Sequence, residues 1–174
     1  EFEKSLFVFN QVIPLLDPKK ENKLLALMYM NKANTLNELS RYNEAIDNHL
    51  KSLSIFEENQ DVKGIMQINN NLVPLFIKVT QWEKAKKYAQ RTKSYLKEND
   101  NDLSKAQLYD NYSLILENLK QKDSVLYFRK KSLELFSNLN DKYNVARLKH
   151  NIANYYLLEK NYNQAEKDFL MALT

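Results

Sequence analysis

Between residues 22 and 58 the apolar positions recur with a helical period twice over. Leu24, Leu27, Ala33, Leu36 and Leu39 mark one face of a first helix, and Ala45, Leu50, Leu53 and Phe56 one face of a second. Tyr42-Asn43 makes the turn between them. The polar stretch Asn59-Gln60-Asp61 closes the pair, and the whole succession then returns. Its register is visible in Arg41-Tyr42-Asn43-Glu44-Ala45, Gln81-Trp82-Glu83-Lys84-Ala85, Gln121-Lys122-Asp123-Ser124-Val125 and Asn161-Tyr162-Asn163-Gln164-Ala165, each 40 residues after the last. Phe2 lies the same distance before Tyr42, so residues 1–16 read as a second helix with Phe2, Leu6, Phe9, Ile13 and Leu16 on one face, bent or ended by Pro14.

The pattern predicts first helices over about 22–39, 62–79, 102–119 and 142–159, and second helices over about 43–58, 83–98, 123–138 and from 163 onward. The units are 1–21, 22–61, 62–101, 102–141 and 142–174, joined into one domain over 1–174. Asp17 to Asn22 form the first inter-repeat turn. Asn59-Gln60-Asp61, Asn99-Asp100-Asn101-Asp102 and Asn138-Leu139-Asn140-Asp141 each place an Asp or Asn where a helix N-cap is wanted. A fixed period of this size means stacked units, none able to bury its apolar face alone.

Composition agrees. One Gly and three Pro among 174 residues leave little material for hairpins, so the expected class is all-α. A hydrophobic share of 44% excludes disorder. No apolar run is long enough to span a membrane. The absence of Cys removes disulfides and thiolate metal sites and suits either redox compartment, so the compartment stays open, with a slight preference for the cytoplasm. The formal charge of +4 describes a mildly basic, solvated surface. The chain does not begin with Met, and Phe169, Leu170 and Leu173 leave an apolar face at its end. It reads as a fragment of a longer protein, able to self-associate through residues 1–16 and 163–174.

Ala33 with Leu36, then Ala45 with Ser52, resemble the small and large positions of the tetratricopeptide repeat. The same columns hold Val73, Phe76, Ala85 and Thr92; Ser113, Leu116, Val125 and Ser132; and Ala153, Tyr156, Ala165 and Ala172. The period of 40 exceeds the usual repeat of about 34, and the usual Gly and repeat-ending Pro are missing. Long repeats of this sort are similar to those of bacterial peptide-sensing regulators, of the sensor halves of some bacterial kinases and transcription factors, and of kinesin light chains. The resemblance implies a superhelical α-solenoid of antiparallel helix pairs that binds protein or peptide partners. First helices would line a concave groove and second helices form its convex back.

One column then stands out: Asn31, Asn71, Asn111 and Asn151 recur at the same place on the first helices. An amide offers both a donor and an acceptor, as an extended peptide backbone requires. The resemblance implies that this column grips a ligand main chain. Around it lie Leu27, Met30 and Asn34; Gln67, Asn70 and Pro74; Gln107, Asp110 and Leu114; and Arg147, His150 and Asn154. Met30, Gln107 and Asn111 stand where a carboxylate clamp would carry cations, so such a clamp is not expected; Arg147 with His150 could hold one acidic group. The competing readings are an Asn ladder that stitches repeats together and a purely structural scaffold.

Pro74 should bend its helix and leave the Asn70 carbonyl without its usual donor. Lys84, Lys86, Lys87, Arg91, Lys93 and Lys97, followed by Arg129, Lys130 and Lys131, form a basic stripe for an acidic partner. It lacks nucleic-acid signatures, and no nucleic acid is expected. His49 and His150 lack metal-ligand spacing, and one Gly cannot build a phosphate loop, so no enzyme activity, cofactor or metal is expected. His49 is read as a surface or packing residue, and Trp82, Phe2, Tyr42 and Tyr162 as plugs of the helix–helix turns.

Overall fold

A computed structural model describes residues 1–96 and 102–172, the side chains of residues 122, 123, 171 and 172 excepted. Among the described residues there are helices and turns and no strand. The helices are α1 (Phe2–Val12), α2 (Asn22–Glu38), α3 (Tyr42–Glu58), α4 (Val62–Lys78), α5 (Trp82–Tyr95), α6 (Asp102–Asn118), α7 (Lys122–Asn138), α8 (Lys142–Leu158) and α9 (Tyr162–Ala172). Pro14 ends α1 as expected, inside a single 3-10 turn over Ile13–Leu15. The chain forms two compact units, Glu1–Tyr95 and Leu96–Thr174. In the first, α1 packs on α2, α2 on α3, α3 on α4 and α4 on α5; in the second, α6 packs on α7, α7 on α8 and α8 on α9. Each unit is thus a short α-solenoid of antiparallel helix pairs.

The turns explain the period. Ser40, Gln60 and Thr80, and again Lys120, Asn140 and Lys160, adopt positive φ, between 53° and 60°, at twenty-residue intervals within each set. Each stands just past a helix end. After α2 the Ser40 N–H donates to the Asn37 carbonyl and the Arg41 N–H to Leu36, both at 2.9 Å; Asp61 to Phe56, Gln81 to Phe76, Gln121 to Leu116, Asp141 to Phe136 and Asn161 to Tyr156 repeat the longer bond. These are Schellman caps, which satisfy the last carbonyls of one helix while reversing the chain for the next. They replace the expected glycines by residues that carry a Cβ into the left-handed region.

At the other helix ends, Asp61 accepts from the Gly64 N–H and Asp141 from the Asn144 N–H, each at 3.0 Å. The N-cap signals are therefore real at both. The Asn99-Asp100-Asn101 signal lies outside the described residues.

Small residues bring paired helices into contact. Ser52 donates its hydroxyl to the Ala26 carbonyl and Ser132 to the Ala106 carbonyl, both at 2.8 Å, while Ala33, Ala45, Ala85 and Ala153 are fully buried. This approach rotates α2 from its expected orientation. Leu25, Ala26, Met30, Ala33 and Leu36 face inward and Leu24 and Leu27 are exposed, the small residues Ala26 and Ala33 being on the covered face where Ser52 of α3 meets the Ala26 carbonyl. Leu36, Ile68, Leu72, Val73 and Phe76 fill the first unit's core; Phe136, Leu148 and Ala106 centre the second. The single Gly has a specific task. A Cβ on Gly64 would stand 2.4 Å from Cδ1 of the buried Phe56 ring.

Candidate functional site

Expected binding residues of the first unit lie on α2 and α4. These helices are tied by Lys78, whose Nζ donates to Asn37 Oδ1 at 2.9 Å and sits 4.6 Å over the Tyr42 ring. Asn31, Asn34 and Gln67 are exposed and Asn71 is half-buried. Their side-chain amides have no hydrogen-bond partner among the described residues. Leu27 is exposed beside them, Pro74 is half-buried, and Met30 and Asn70 are buried a turn away. Pro74 is accommodated inside α4 without ending it. Asn69 points inward: it is 0% exposed and neither of its amide atoms finds a partner.

The second unit treats the same columns differently. Asn111 is only 5% exposed, and Gln107, Leu114, Asn151 and Asn154 are half-buried. The four Asn of the column are therefore not equivalent: Asn31 is exposed, Asn71 and Asn151 are half-buried and Asn111 is buried. An ion pair joins two first helices of this unit. Arg147 Nη2 donates to Asp110 Oδ2 at 2.7 Å, joining α8 to α6, and Arg147 also donates to Asn144 Oδ1, whose own amide donates to Asp141 Oδ2 at 2.8 Å. Those Asn144 bonds hold the Asp141 carboxyl below its ordinary pKa. His150, exposed, sets its ring edge-on to Phe169 at 5.4 Å between centroids.

A residue missed by sequence reasoning organises this unit. Arg129, expected in a basic stripe for an acidic partner, is 3% exposed. From α7 its Nη2 donates to Glu117 Oε2 on α6 at 2.6 Å and its Nη1 to the Asn151 carbonyl on α8 at 3.1 Å. The signal was present in the register. Arg129 falls in the column of Phe9, His49, Ala89 and Phe169, and His49 and Ala89 are buried too. His49 is 1% exposed with Nδ1 unpartnered, and burial lowers its pKa to about 4. It is a packing residue.

The remaining cations divide. Lys131 pairs with Glu134 at 3.2 Å, Lys130 donates to the Tyr156 hydroxyl, and Arg91 pairs with Glu57. Lys97 lies outside the described residues. Of the aromatic turn residues, Tyr42 and Trp82 are half-buried, but Phe2 and Tyr162 are exposed and plug nothing. Phe7, Val8 and Leu15 are exposed near the beginning of the chain and Leu170 near its end; Leu173 is outside the described residues. Among the described residues no group of three or more His, Cys, Asp or Glu could hold a metal ion, and no helix is long and apolar enough to cross a membrane.

No family model matches the sequence, and no curated protein matches it. Solved structures do. BtubC from P. vanneervenii matches with a TM-score of 0.75 and 20% identity, over 98% of this chain and 71% of that one. Aspartyl phosphate phosphatase F from Bacillus subtilis matches with a TM-score of 0.66 and 16% identity, over 98% of this chain and 53% of that one. A kinesin light chain protein of Podosopora anserina with nearly identical TPR-like repeats matches with a TM-score of 0.66 and 10% identity, over 98% of this chain and 84% of that one.

Proposed function

We propose, from a tetratricopeptide-like fold that presents unpartnered amides on consecutive first helices, that this chain is a protein-interaction module and that α2 and α4 hold the main chain of an extended peptide. The observation that carries this is the accessible set Asn31, Asn34, Gln67 and Asn71, four side chains able both to donate and to accept. A peptide strand has the same two groups at every residue and leaves them unsatisfied until something pairs with them. Exposed Leu27 adds an apolar contact for one ligand side chain. The four amides and Leu27 carry no charge themselves, so this set grips backbone rather than an ionic side chain. The role is non-catalytic, and we place it in the sensing or interaction part of a larger regulator.

A structural reading is favoured for the same columns in the second unit. There Asp110 and Arg147 bind each other, Asn111 is buried, and Arg129 holds the Asn151 carbonyl. These residues tie helices together. Within the Asn column we therefore assign the ligand role to Asn31 and Asn71 alone.

An array of short synthetic peptides probed with the labelled chain tests both halves. Asn31→Ala and Asn71→Ala should each weaken the best peptides about fivefold, the worth of one hydrogen bond of about 1 kcal/mol, with unchanged melting. Asn111→Ala should lower the melting temperature. Unaltered peptide binding by both first-unit variants would refute the ligand role.

A further inference from the structure

The net positive charge of the first unit is concentrated on one helix. α5 carries Lys84, Lys86, Lys87, Arg91 and Lys93 against Glu83, a surplus of four positive charges. That equals the +4 of the whole chain, so the remainder is electrically balanced. Two of the five are engaged: Arg91 pairs with Glu57, and Lys84 sits 5.5 Å over the Phe76 ring. Lys86, Lys87 and Lys93 are exposed and have no partner among the described residues. Lys86, exposed Gln90 and Lys93 follow at i, i+4 and i+7, in one line along the helix, with Lys87 beside it. The line runs about 10 Å.

We propose that this outer face of α5 docks an acidic helical segment of a protein partner, Lys86 and Lys93 meeting carboxylates two turns apart and Gln90 bonding between them. Helical spacing on both sides is the reason for choosing a helix. Acidic side chains at i, i+4 and i+7 rise by the same steps as the lysines. The surface is too narrow for nucleic acid, which would be served by a broad basic surface and exposed rings for stacking. Trp82, Tyr88 and Tyr95 on α5 are half-buried, and of the cluster on α7 Arg129 is buried and Lys131 paired. A membrane is disfavoured too. Every exposed residue of α5 is polar, leaving nothing to insert among acyl chains.

Exposed ion pairs are individually weak and screened by salt, so the contact should form at low ionic strength and owe its selectivity to the pattern. Four probes test it by fluorescence titration of the whole chain: a helical peptide with glutamates at i, i+4 and i+7, a peptide of equal composition with the glutamates spread around the helix, an oligothymidylate, and phosphatidylserine vesicles. The patterned peptide should bind at least fivefold more tightly than the spread one. Lys86→Glu combined with Lys93→Glu should abolish that preference with melting unchanged, whereas Lys142→Glu, an exposed reversal on α8, should preserve it. Three results each overturn the proposal: equal binding of the two peptides, a preference that survives the double reversal, or tighter binding of oligothymidylate or vesicles through the same lysines. None involves Asn31 or Asn71, so this face fails or stands apart from the peptide-holding face.

Discussion

Gly64→Ala sets two ordinary effects against each other. In the interior of a helix Ala is favoured over Gly by about 0.5–1 kcal/mol, because it restricts the unfolded chain and hides backbone. Here the new Cβ would stand 2.4, 2.6 and 2.7 Å from three atoms of the Phe56 ring, which is itself 3% exposed and hemmed in. Relief to the 3.4 Å of an ordinary contact requires the ring, or the start of α4, to move by about 1 Å. Overpacking on that scale costs about 1–3 kcal/mol. The clash should win by about 1–2 kcal/mol, lowering the melting temperature by about 3–6 °C. In the second unit the same register positions hold Asn144 and Phe136, so the motif as such tolerates a side chain here. Hence the cost belongs to the seating of Phe56. Thermal and urea melts of Gly64→Ala, Phe56→Leu and the double variant form a cycle that isolates it. The double variant should recover about 1 kcal/mol relative to the sum of the singles. A Gly64→Ala protein that melts at or above the parent temperature would refute the reasoning.

His49 should make stability pH-dependent. With its folded pKa lowered to about 4 from 6.5, the stabilisation is complete above pH 6.5 and is lost as the pH falls toward 4, on the order of 3 kcal/mol in all. His49→Leu should flatten the melting temperature over that window relative to the parent, whose carboxylates titrate alike in both. Thr80, β-branched at φ 60°, is the most strained of the turn residues, and Thr80→Gly should stabilise by about 0.5–1 kcal/mol in urea melts. Asn140→Gly, where Asn already tolerates φ 56°, should change little. Arg129→Met should cost about 2 kcal/mol by urea unfolding, less than a fully buried pair because Glu117 can rehydrate; Arg129→Lys should cost nearly as much, since one ammonium replaces two divergent N–H groups.

What could be read from sequence was whatever depends on local chemistry. The boundaries of α2, α4 and α8 fall within a residue of expectation, because polar turns and Asp caps act on the residues beside them. The pairing of small residues was legible too, and Ser52 and Ser132 make identical bonds. Orientation about a helix axis was harder. Leu24 and Leu27 look as apolar as Leu25 and Met30, and only the contact of α3 on α2 decides which pair is covered. The candidate site suffered most from reading one column as one environment. Asn31 and Asn111 share a register position, yet exposure depends on the neighbouring helix, which for Asn111 belongs to a unit laced by Asp110, Arg147 and Arg129. Arg129 carries a charge typical of surface positions, and only its column, shared with buried His49 and Ala89, marks it as an inward one.

Substantial packing in each unit joins helices that are consecutive in the chain, α1 to α2, α2 to α3 and onward. Few distant segments have to find one another before contacts begin to stabilise, so little loop entropy stands in the way and folding should be rapid. The same economy has a mechanical side. Under tension a helix hairpin can give way while its neighbours in the unit remain formed, because the interfaces are arranged in series along the backbone. Such a chain yields in steps about one repeat long and re-forms from whichever hairpin is left.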